Sequence, residues 1–306
     1  MTPLSDSISP LVALSNDLAD AIAHAANAIV TVNARQRCSS SGVHWQPGIV
    51  VTADHTIKRE EDITVTVADD RTLAATLVGR DSGTDLAVLR LQEVDLPAAE
   101  LVEAPELKVG HMVLALGRSS DGIAASFGVI SALGGTWRSW HGGQIDQFIR
   151  PDLTLYPGFS GGALINLQGQ VIGMNTSGPR HTTLTIPVST VSRVVNQLLQ
   201  RGRIARGYLG VGMQPLPLPD RLRQSLNLPN TNAVIIISTE SGSPADQAGV
   251  LIGDILVRLN DRPIEDIHDV HAMLDPEQVS KPLTAQIIRG GALIECSITI
   301  GERLQR

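Results

Sequence analysis

A serine enclosed by glycines is the part of this sequence best suited to chemistry. Residues 158–162 read Gly-Phe-Ser-Gly-Gly. In a tight turn, the N–H groups of Gly158 and Ser160 can point into one small space and stabilise a developing oxyanion. Gly161 and Gly162 are expected to leave the far side of the turn open to a substrate carbonyl. Because glycine–serine clusters also occur in ordinary turns, this motif needs support from elsewhere in the chain.

A histidine and an aspartate provide that support. His55 follows the apolar run 50–53, and Asp85 directly precedes the apolar run 86–89. A half-buried carboxylate requires a hydrogen-bond donor, and an imidazole N–H is such a donor. The order His55, Asp85, Ser160 is that of the chymotrypsin-type triad. We therefore predict Ser160 as nucleophile, His55 as general base and Asp85 as the group that orients the imidazole.

Other titratable residues are weaker candidates for a catalytic or metal-binding role. Asp54 adjoins His55, but neighbours in an extended chain point to opposite faces, and Asp81 is expected to cap a turn. His268 and His271 form a His-x-x-His pair without evident further ligands. We predict no metal site and no cofactor. The histidines without a matching carboxylate segment are His44, His111, His141 and His181.

Composition limits the class of protein. A chain of 306 residues suggests two domains. The net charge of −7 and the absence of Lys/Arg clusters argue against nucleic acid as a partner. No run reaches the ~20 apolar residues that span a bilayer. The N-terminus lacks a basic region followed by an apolar core, so the chain as written predicts a cytoplasmic location. Removal of an export signal would instead indicate the periplasm or another extracytoplasmic space.

Hydrophobic spacing predicts how the elements are arranged. Residues 11–26 and 187–201 have helical spacing, and Pro187 is expected in the first turn of the second helix. Between these helices, short apolar strands separated by Gly, Asp and Asn predict an all-β barrel or sandwich. Beyond residue 201, strands alternate with short helices in a small α+β module. The predicted domains are 1–200 and 201–306.

Several segments resemble a known family. Residues 51–55, 84–89 and 152–164 resemble the HtrA (Deg) family of trypsin-fold serine proteases. Downstream, residues 208–211 and 243–256 resemble a PDZ domain. The resemblance covers nearly the whole chain in the family's order. It implies a mainly β protein, with two six-stranded-type β-barrels of the trypsin fold followed by a small α+β PDZ domain.

The resemblance also implies a function. It indicates a serine endopeptidase that degrades unfolded or misfolded proteins through an acyl-enzyme, with peptide C-termini as further ligands. The family assembles as trimers, so a homo-oligomer is expected. An uncharged pocket for an aliphatic side chain is expected from Thr154, Leu155 and Ile186; alternatively, Leu155 and Ile186 are core. Backbone N–H groups of the PDZ carboxylate loop are expected to bind a peptide's terminal carboxylate; this loop comprises Tyr208, Leu209, Gly210 and Val211.

Two features leave alternatives open. Phe159 stands where the family usually has Asn. Its ring either obstructs the turn 158–162, where the oxyanion would bind, or packs on the surface without effect. Obstruction would favour a peptide-binding scaffold or chaperone over an active protease. The Gly-rich segment 135–143 carries Trp137, Arg138 and Trp140. It either senses PDZ or substrate engagement, as the corresponding family loop does, or its tryptophans simply pack on the barrel.

Overall fold

The chain folds into two compact units, and the boundary follows Ile204. The computed structural model describes residues 9–36, 38–92, 95–103, 106–139, 142–177, 182–204, 207–274 and 278–302. The first unit contains two closed barrels and the second contains a single main sheet. The predicted mainly β architecture of two barrels followed by a small α+β module is confirmed. Within the described residues, none of the helices combines the length and apolarity needed to cross a bilayer.

The first barrel is antiparallel and has an aliphatic interior. Val30, Val32, Val50 and Leu89 are at most 1% exposed and belong to one cluster; aliphatic and above all β-branched residues fit the buried face of a strand. The strand order is β1-β2-β3-β6-β5-β4. The strands are β1 (Ile29–Asn33), β2 (Ser40–Gln46), β3 (Ile49–Ala53), β4 (Ile63–Thr66), β5 (Thr72–Asp81) and β6 (Leu86–Leu91).

The second barrel follows in the chain and closes in the order β11-β14-β13-β12-β7-β8. A two-stranded hairpin, β9 (Trp137–Arg138) with β10 (Gln144–Ile145), leaves it between β8 and β11. The strands of the barrel are β7 (Met112–Ser119), β8 (Gly122–Gly134), β11 (Phe148–Asp152), β12 (Ala163–Ile165), β13 (Val171–Ser177) and β14 (Thr183–Pro187).

Two helices pack against the barrels, close to where they were predicted. Helix α1 (Pro10–Ala26) ends beside Arg118, which donates from Nε to Ile29 O (2.6 Å) and from Nη2 to Ala26 O (2.9 Å). Helix α2 (Val188–Arg201) buries an i, i+3, i+4, i+7 stripe and ends at Gly202, with φ of +70°. Pro187 is the N-cap of α2 and not part of its first turn. The buried stripe is Val191, Val194, Val195 and Leu198.

The second unit is a sheet with short helices. Its main strands follow the order β16-β17-β18-β20-β21, so β16 lies at an edge. The strands are β15 (Gly207–Tyr208), β16 (Val211–Pro217), β17 (Asn232–Thr239), β18 (Ile255–Leu259), β19 (Arg262–Pro263), β20 (Pro282–Arg289), β21 (Ala292–Thr299) and β22 (Gly301–Glu302). The helices are α3 (Asp220–Leu226), α4 (Pro244–Gln247) and α5 (Ile267–Ala272).

Candidate active site

His55 lies in a short 3-10 turn that follows β3. The turn is closed by Thr56, whose Oγ1 donates to Ala53 O at 2.7 Å. Arg80 of β5 supports it from the side, because its Nε donates to the Asp54 carboxylate and its Nη2 to Asp54 O at 3.3 Å. Asp54 is thus directed to Arg80 and not to the imidazole, although the backbone here is a turn and not the extended chain that the sequence suggested.

Asp85 holds the imidazole from the loop before β6. Its Oδ2 contacts His55 Nδ1 at 2.8 Å, and its Oδ1 accepts the His55 backbone N–H at 2.8 Å. Thr176 of β13 also donates its hydroxyl to Oδ2. These bonds favour the Nδ1–H form of the imidazole and leave Nε2 as its basic nitrogen. Asp85 achieves this contact in a left-handed conformation, with φ of +57°.

The Ser160 turn belongs to the second barrel but is held by the first. Ser41 of β2 is fully buried; its Oγ donates to Gly158 O at 2.7 Å, and its backbone N–H donates to Ser160 O at 3.2 Å. Among the described residues, the backbone N–H groups of Gly158 and Ser160 donate to no protein acceptor. Both N–H groups are therefore available to an oxyanion.

The two glycines after Ser160 have a different role from the one predicted. A Cβ on Gly161 would lie 2.2 Å from Ser41 O, and φ at Gly161 is +89°. A Cβ on Gly162 would lie 2.0 Å from Leu116 O. The missing side chains therefore face neighbouring backbone and not a substrate's approach path. Glycine is required because the turn packs tightly against β2 and β7.

Phe159 is part of the interior of the second barrel. Its side chain is 4% exposed and clusters with Val113, Ala115 and Leu164. Gly117 makes room for it, since a Cβ there would lie 2.6 Å from the ring. The expectation that the ring packs on the surface is wrong. A ring buried in this way also does not lie in the path of a substrate.

The nucleophile candidate and the base candidate are not hydrogen-bonded to each other. Ser160 Oγ lies 3.1 Å from Ser177 Oγ, at the end of β13. In the described part of the chain, no hydrogen bond joins Ser160 to His55. Catalytic hydrogen bonds are often long or poorly aligned in unliganded enzymes and tighten when substrate binds. The structure thus contains a formed acid–base pair and an adjacent serine turned to another partner.

The three pocket candidates lie in different surroundings. Thr154 is exposed. Leu155 is half-buried against the cluster that contains Phe159, whereas Ile186 is 2% exposed in a separate core cluster. The pocket stays a prediction. Sequence reasoning missed Ser41, Thr176 and Ser177, whose hydroxyls contact the site across the fold, because lone Ser and Thr residues form no recognisable pattern.

The segment 135–143 contacts the loop that carries Asp85. Ser139 donates its hydroxyl to Gly83 O, and Gly143 packs against the Gly83 backbone. Trp137 is half-buried and stacks edge-on with Phe148, with ring centroids 5.6 Å apart. For Trp137, packing on the barrel is therefore what the structure shows. Trp140 and His141, like His181, lie outside the described residues.

The predicted PDZ carboxylate loop joins β15 to the edge strand β16. Leu209 is buried, Gly210 has φ of +79°, and Val211 opens β16. Tyr208 donates its hydroxyl to the Glu240 carboxylate. Helix α5 lies alongside β16. An edge strand flanked by a helix can receive an extended peptide as an additional strand.

Comparisons with known proteins agree with this arrangement. The model of the trypsin-like peptidase domain matches residues 40–174, and that of the PDZ domain matches residues 235–287. A probable periplasmic serine endoprotease, DegP-like, of Hahella chejuensis (strain KCTC 2396) is 32% identical over 275 residues, covering 87% of this chain and 57% of the relative. A second DegP-like relative, from Chlamydia pneumoniae, is 31% identical and 53% covered. The chain thus spans little more than half the length of these relatives.

Solved structures resemble the chain over nearly its full length. The HtrA-type protease AlgW with decapeptide aligns with a TM-score of 0.77 and 25% identity, covering 94% of this chain and 99% of AlgW. The serine endoprotease from Yersinia pestis aligns with a TM-score of 0.76 and 28% identity, covering 99% of this chain and 100% of that one. The fold is that of a trypsin-type serine protease joined to a PDZ domain. The chain belongs to the HtrA, or DegP-like, family of such proteases.

Proposed function

We propose that this protein is a serine endopeptidase that cleaves unfolded or misfolded polypeptides through an acyl-enzyme. The observation that carries the proposal is the His55–Asp85 pair, joined at 2.8 Å beside the Ser160 turn. Ser160 attacks the scissile carbonyl, His55 takes its proton, and Asp85 stabilises the imidazolium. The N–H groups of Gly158 and Ser160 hold the oxyanion. This chemistry requires no metal and no cofactor.

We assign the substrate's side-chain pocket to Thr154, Leu155 and Ile186. None of the three carries a charge, so cleavage is proposed after Val, Ala, Leu or Ile. A peptide-library profile dominated by Lys or Arg would refute this assignment.

The second unit is proposed to bind peptide C-termini. Backbone N–H groups of the loop 208–211 would hold the terminal carboxylate, and the peptide would extend β16. A solved relative is an HtrA-type protease with a decapeptide, which supports a peptide ligand. The domain boundary predicted from the sequence, between residues 200 and 201, lies four residues before the boundary of the two compact units after Ile204.

The location is proposed by analogy with the relatives, and the assembly from the family resemblance. Periplasmic relatives favour a periplasmic site of action for this chain. The family's trimer is proposed as the assembly, and a solution mass equal to one chain would contradict it.

The proposal is tested by labelling with a fluorophosphonate probe, which reacts quickly only with an activated serine. The full chain should be labelled, and Ser160→Ala should not be. The same variant should lose about a millionfold in turnover of an unfolded model substrate. Readily measurable cleavage by Ser160→Ala would show that the site is wrong.

A peptide-binding scaffold or chaperone is the second candidate. The observation that favours it is the contact of Ser160 with Ser177 and not with His55. Absence of both labelling and cleavage, with intact binding of a peptide C-terminus, would support this candidate.

A further inference from the structure

The last two described residues of β13 contact two different members of the proposed triad. Thr176 donates its hydroxyl to the Asp85 carboxylate. Ser177, the next residue, is exposed and places its Oγ 3.1 Å from Ser160 Oγ. Two neighbouring hydroxyls of β13 thus contact the proposed triad: Thr176 contacts Asp85, and Ser177 contacts Ser160.

The backbone of the nucleophile turn is fixed to the same strand. Gly161 N–H donates to Asn175 O at 2.9 Å, and Asn175 N–H donates to Gly162 O at 2.8 Å. With the backbone fixed, the partner of Ser160 Oγ depends on rotation about its Cα–Cβ bond, which has three staggered positions. Either hydroxyl can be the donor of the Ser160–Ser177 bond. In this rotamer Ser160 Oγ makes no hydrogen bond to His55, so its proton has no direct path to the imidazole.

We propose that Ser177 holds the Ser160 hydroxyl in a resting position, away from His55, and so lowers the reactivity of the free enzyme. The inference rests on the proposed function. Ser177 is then a residue that restrains the nucleophile, in contrast to its neighbour Thr176, which supports the acid.

The release of Ser160 is part of the hydrolytic step. The Ser160 side chain turns, and its contact with Ser177 is replaced by a hydrogen bond to His55 Nε2. As the Ser160 Oγ–carbon bond forms, the proton passes to His55 Nε2 and the carbonyl π electrons move to the oxygen. Ser177 takes no proton and forms no covalent bond, and water satisfies its exposed hydroxyl after release.

The size of the effect follows from the strength of one hydrogen bond between neutral groups. Removing the Ser160–Ser177 hydrogen bond should raise the fraction of molecules in which Ser160 Oγ faces His55. The rate of reaction at Ser160 should then increase by about two- to tenfold. Probe labelling and kcat/KM both start from the free enzyme. Both should therefore rise by the same factor.

The experiment compares three variants of the full chain: Ser177→Ala and the isosteric pair Ser177→Thr and Ser177→Val. Ser177→Thr keeps a hydroxyl at this place, whereas Ser177→Val has the same shape without one. We expect Ser177→Ala and Ser177→Val to be labelled faster by the fluorophosphonate and to show a raised kcat/KM for a peptide substrate. Ser177→Thr should stay near the wild type. Thr176→Val should lower both quantities, because it removes a donor to Asp85.

Circular dichroism and thermal melting check that each variant is folded, which is expected because Ser177 is exposed. Equal labelling rates in the wild type and all Ser177 variants would overturn the inference and leave the proposed function standing. Slower labelling of Ser177→Ala than of the wild type would also overturn the inference, since Ser177 would then assist the nucleophile. If neither the wild type nor Ser177→Ala is labelled, Ser160 is not activated and both proposals fail.

Discussion

At the scale of single residues, Asp85 combines an unfavourable backbone with a fully used side chain. A non-glycine residue with φ of +57° is uncommon and persists only where its surroundings determine it. Here the surroundings are the His55 backbone N–H, the imidazole and the Thr176 hydroxyl, all directed at one carboxylate. An amide of the same shape could not accept all three bonds, because its NH₂ group is a donor.

Asp85→Asn should therefore lower kcat by about 10⁴, since an amide donor stabilises the wrong imidazole tautomer. His55→Ala should be more severe, at about a millionfold. The measurement is turnover of an unfolded substrate across neutral pH, with thermal melting to confirm that the variants fold. Equal activity of Asp85→Asn and the wild type would mean that Asp85 does not orient His55.

The residues that could be predicted from the sequence differ in kind from those that could not. His55, Asp85 and Ser160 each adjoin an apolar run or a glycine cluster, so local sequence indicates both residue type and position. Ser41 contacts the site only because the two barrels pack together, and Ser177 only because closure of the second barrel brings β13 to the Ser160 turn. Phe159 was uncertain because its burial depends on the gap at Gly117, which is 42 residues away in the chain.

At the scale of elements, the 3-10 turn that carries His55 depends on a partly buried ion pair. Asp54 is 5% exposed and bonds to Arg80, which also donates to the carbonyls of Asp54 and Ile57. Removing Arg80 leaves a carboxylate that has few partners and little access to water. Such an orphaned charge destabilises a fold more than the loss of the pair itself.

Arg80→Met should lower the free energy of unfolding by about 2 kcal/mol and reduce kcat through a looser His55 turn. Asp54→Asn, introduced into the Arg80→Met chain, removes the orphaned charge and should restore part of the stability. Urea unfolding of the two single variants and the double variant measures the coupling. Strictly additive effects of the two changes would contradict the ion pair's role.

Element boundaries were predicted well where hydrophobic spacing was long and regular. The expected helices at 11–26 and 187–201 correspond to α1 and α2, because several turns of apolar residues determine each one. The turn at His55 was expected to be extended, since three residues carry no periodic pattern. The role of Gly161 and Gly162 could not be seen either, because it depends on the approach of strands from distant parts of the chain.

At the scale of the whole molecule, the second unit has its own electrostatic requirement. Asp254 is 2% exposed and binds Arg289, with Arg289 Nη2 at 2.7 Å from Oδ2. Burial opposes ionisation of this carboxyl, but hydrogen bonds from Arg289 and from the Leu251 N–H, with the charge of Arg289, hold the pKa of Asp254 below its ordinary value of 3.8. The folded second unit therefore favours the charged form more than the unfolded chain does.

A lowered pKa in the folded state gives stability that is present above the unfolded pKa and is lost as pH falls through the folded one. The second unit should thus lose stability in acid, below about pH 4. Hydrogen exchange of β17 and β18 in the full chain between pH 7 and pH 3 would measure this, with correction for intrinsic exchange rates. Asp254→Asn should be less protected at pH 7 and should show a smaller loss towards pH 3. A variant as acid-sensitive as the wild type would exclude Asp254 as the cause.

The dependence of the nucleophile turn on Ser41 has a consequence for how the molecule is made. Ser41 lies 117 residues before Gly158, whose carbonyl it holds. A chain still emerging from the ribosome completes β1 to β6, with His55 and Asp85, well before residue 160 exists. During that interval it has neither a nucleophile nor an oxyanion site. Thr176, whose hydroxyl donates to the Asp85 carboxylate, is made later still. An unfinished chain therefore has no hydrolytic activity of its own, because the proposed site is complete only after almost the entire first unit has been synthesised and closed.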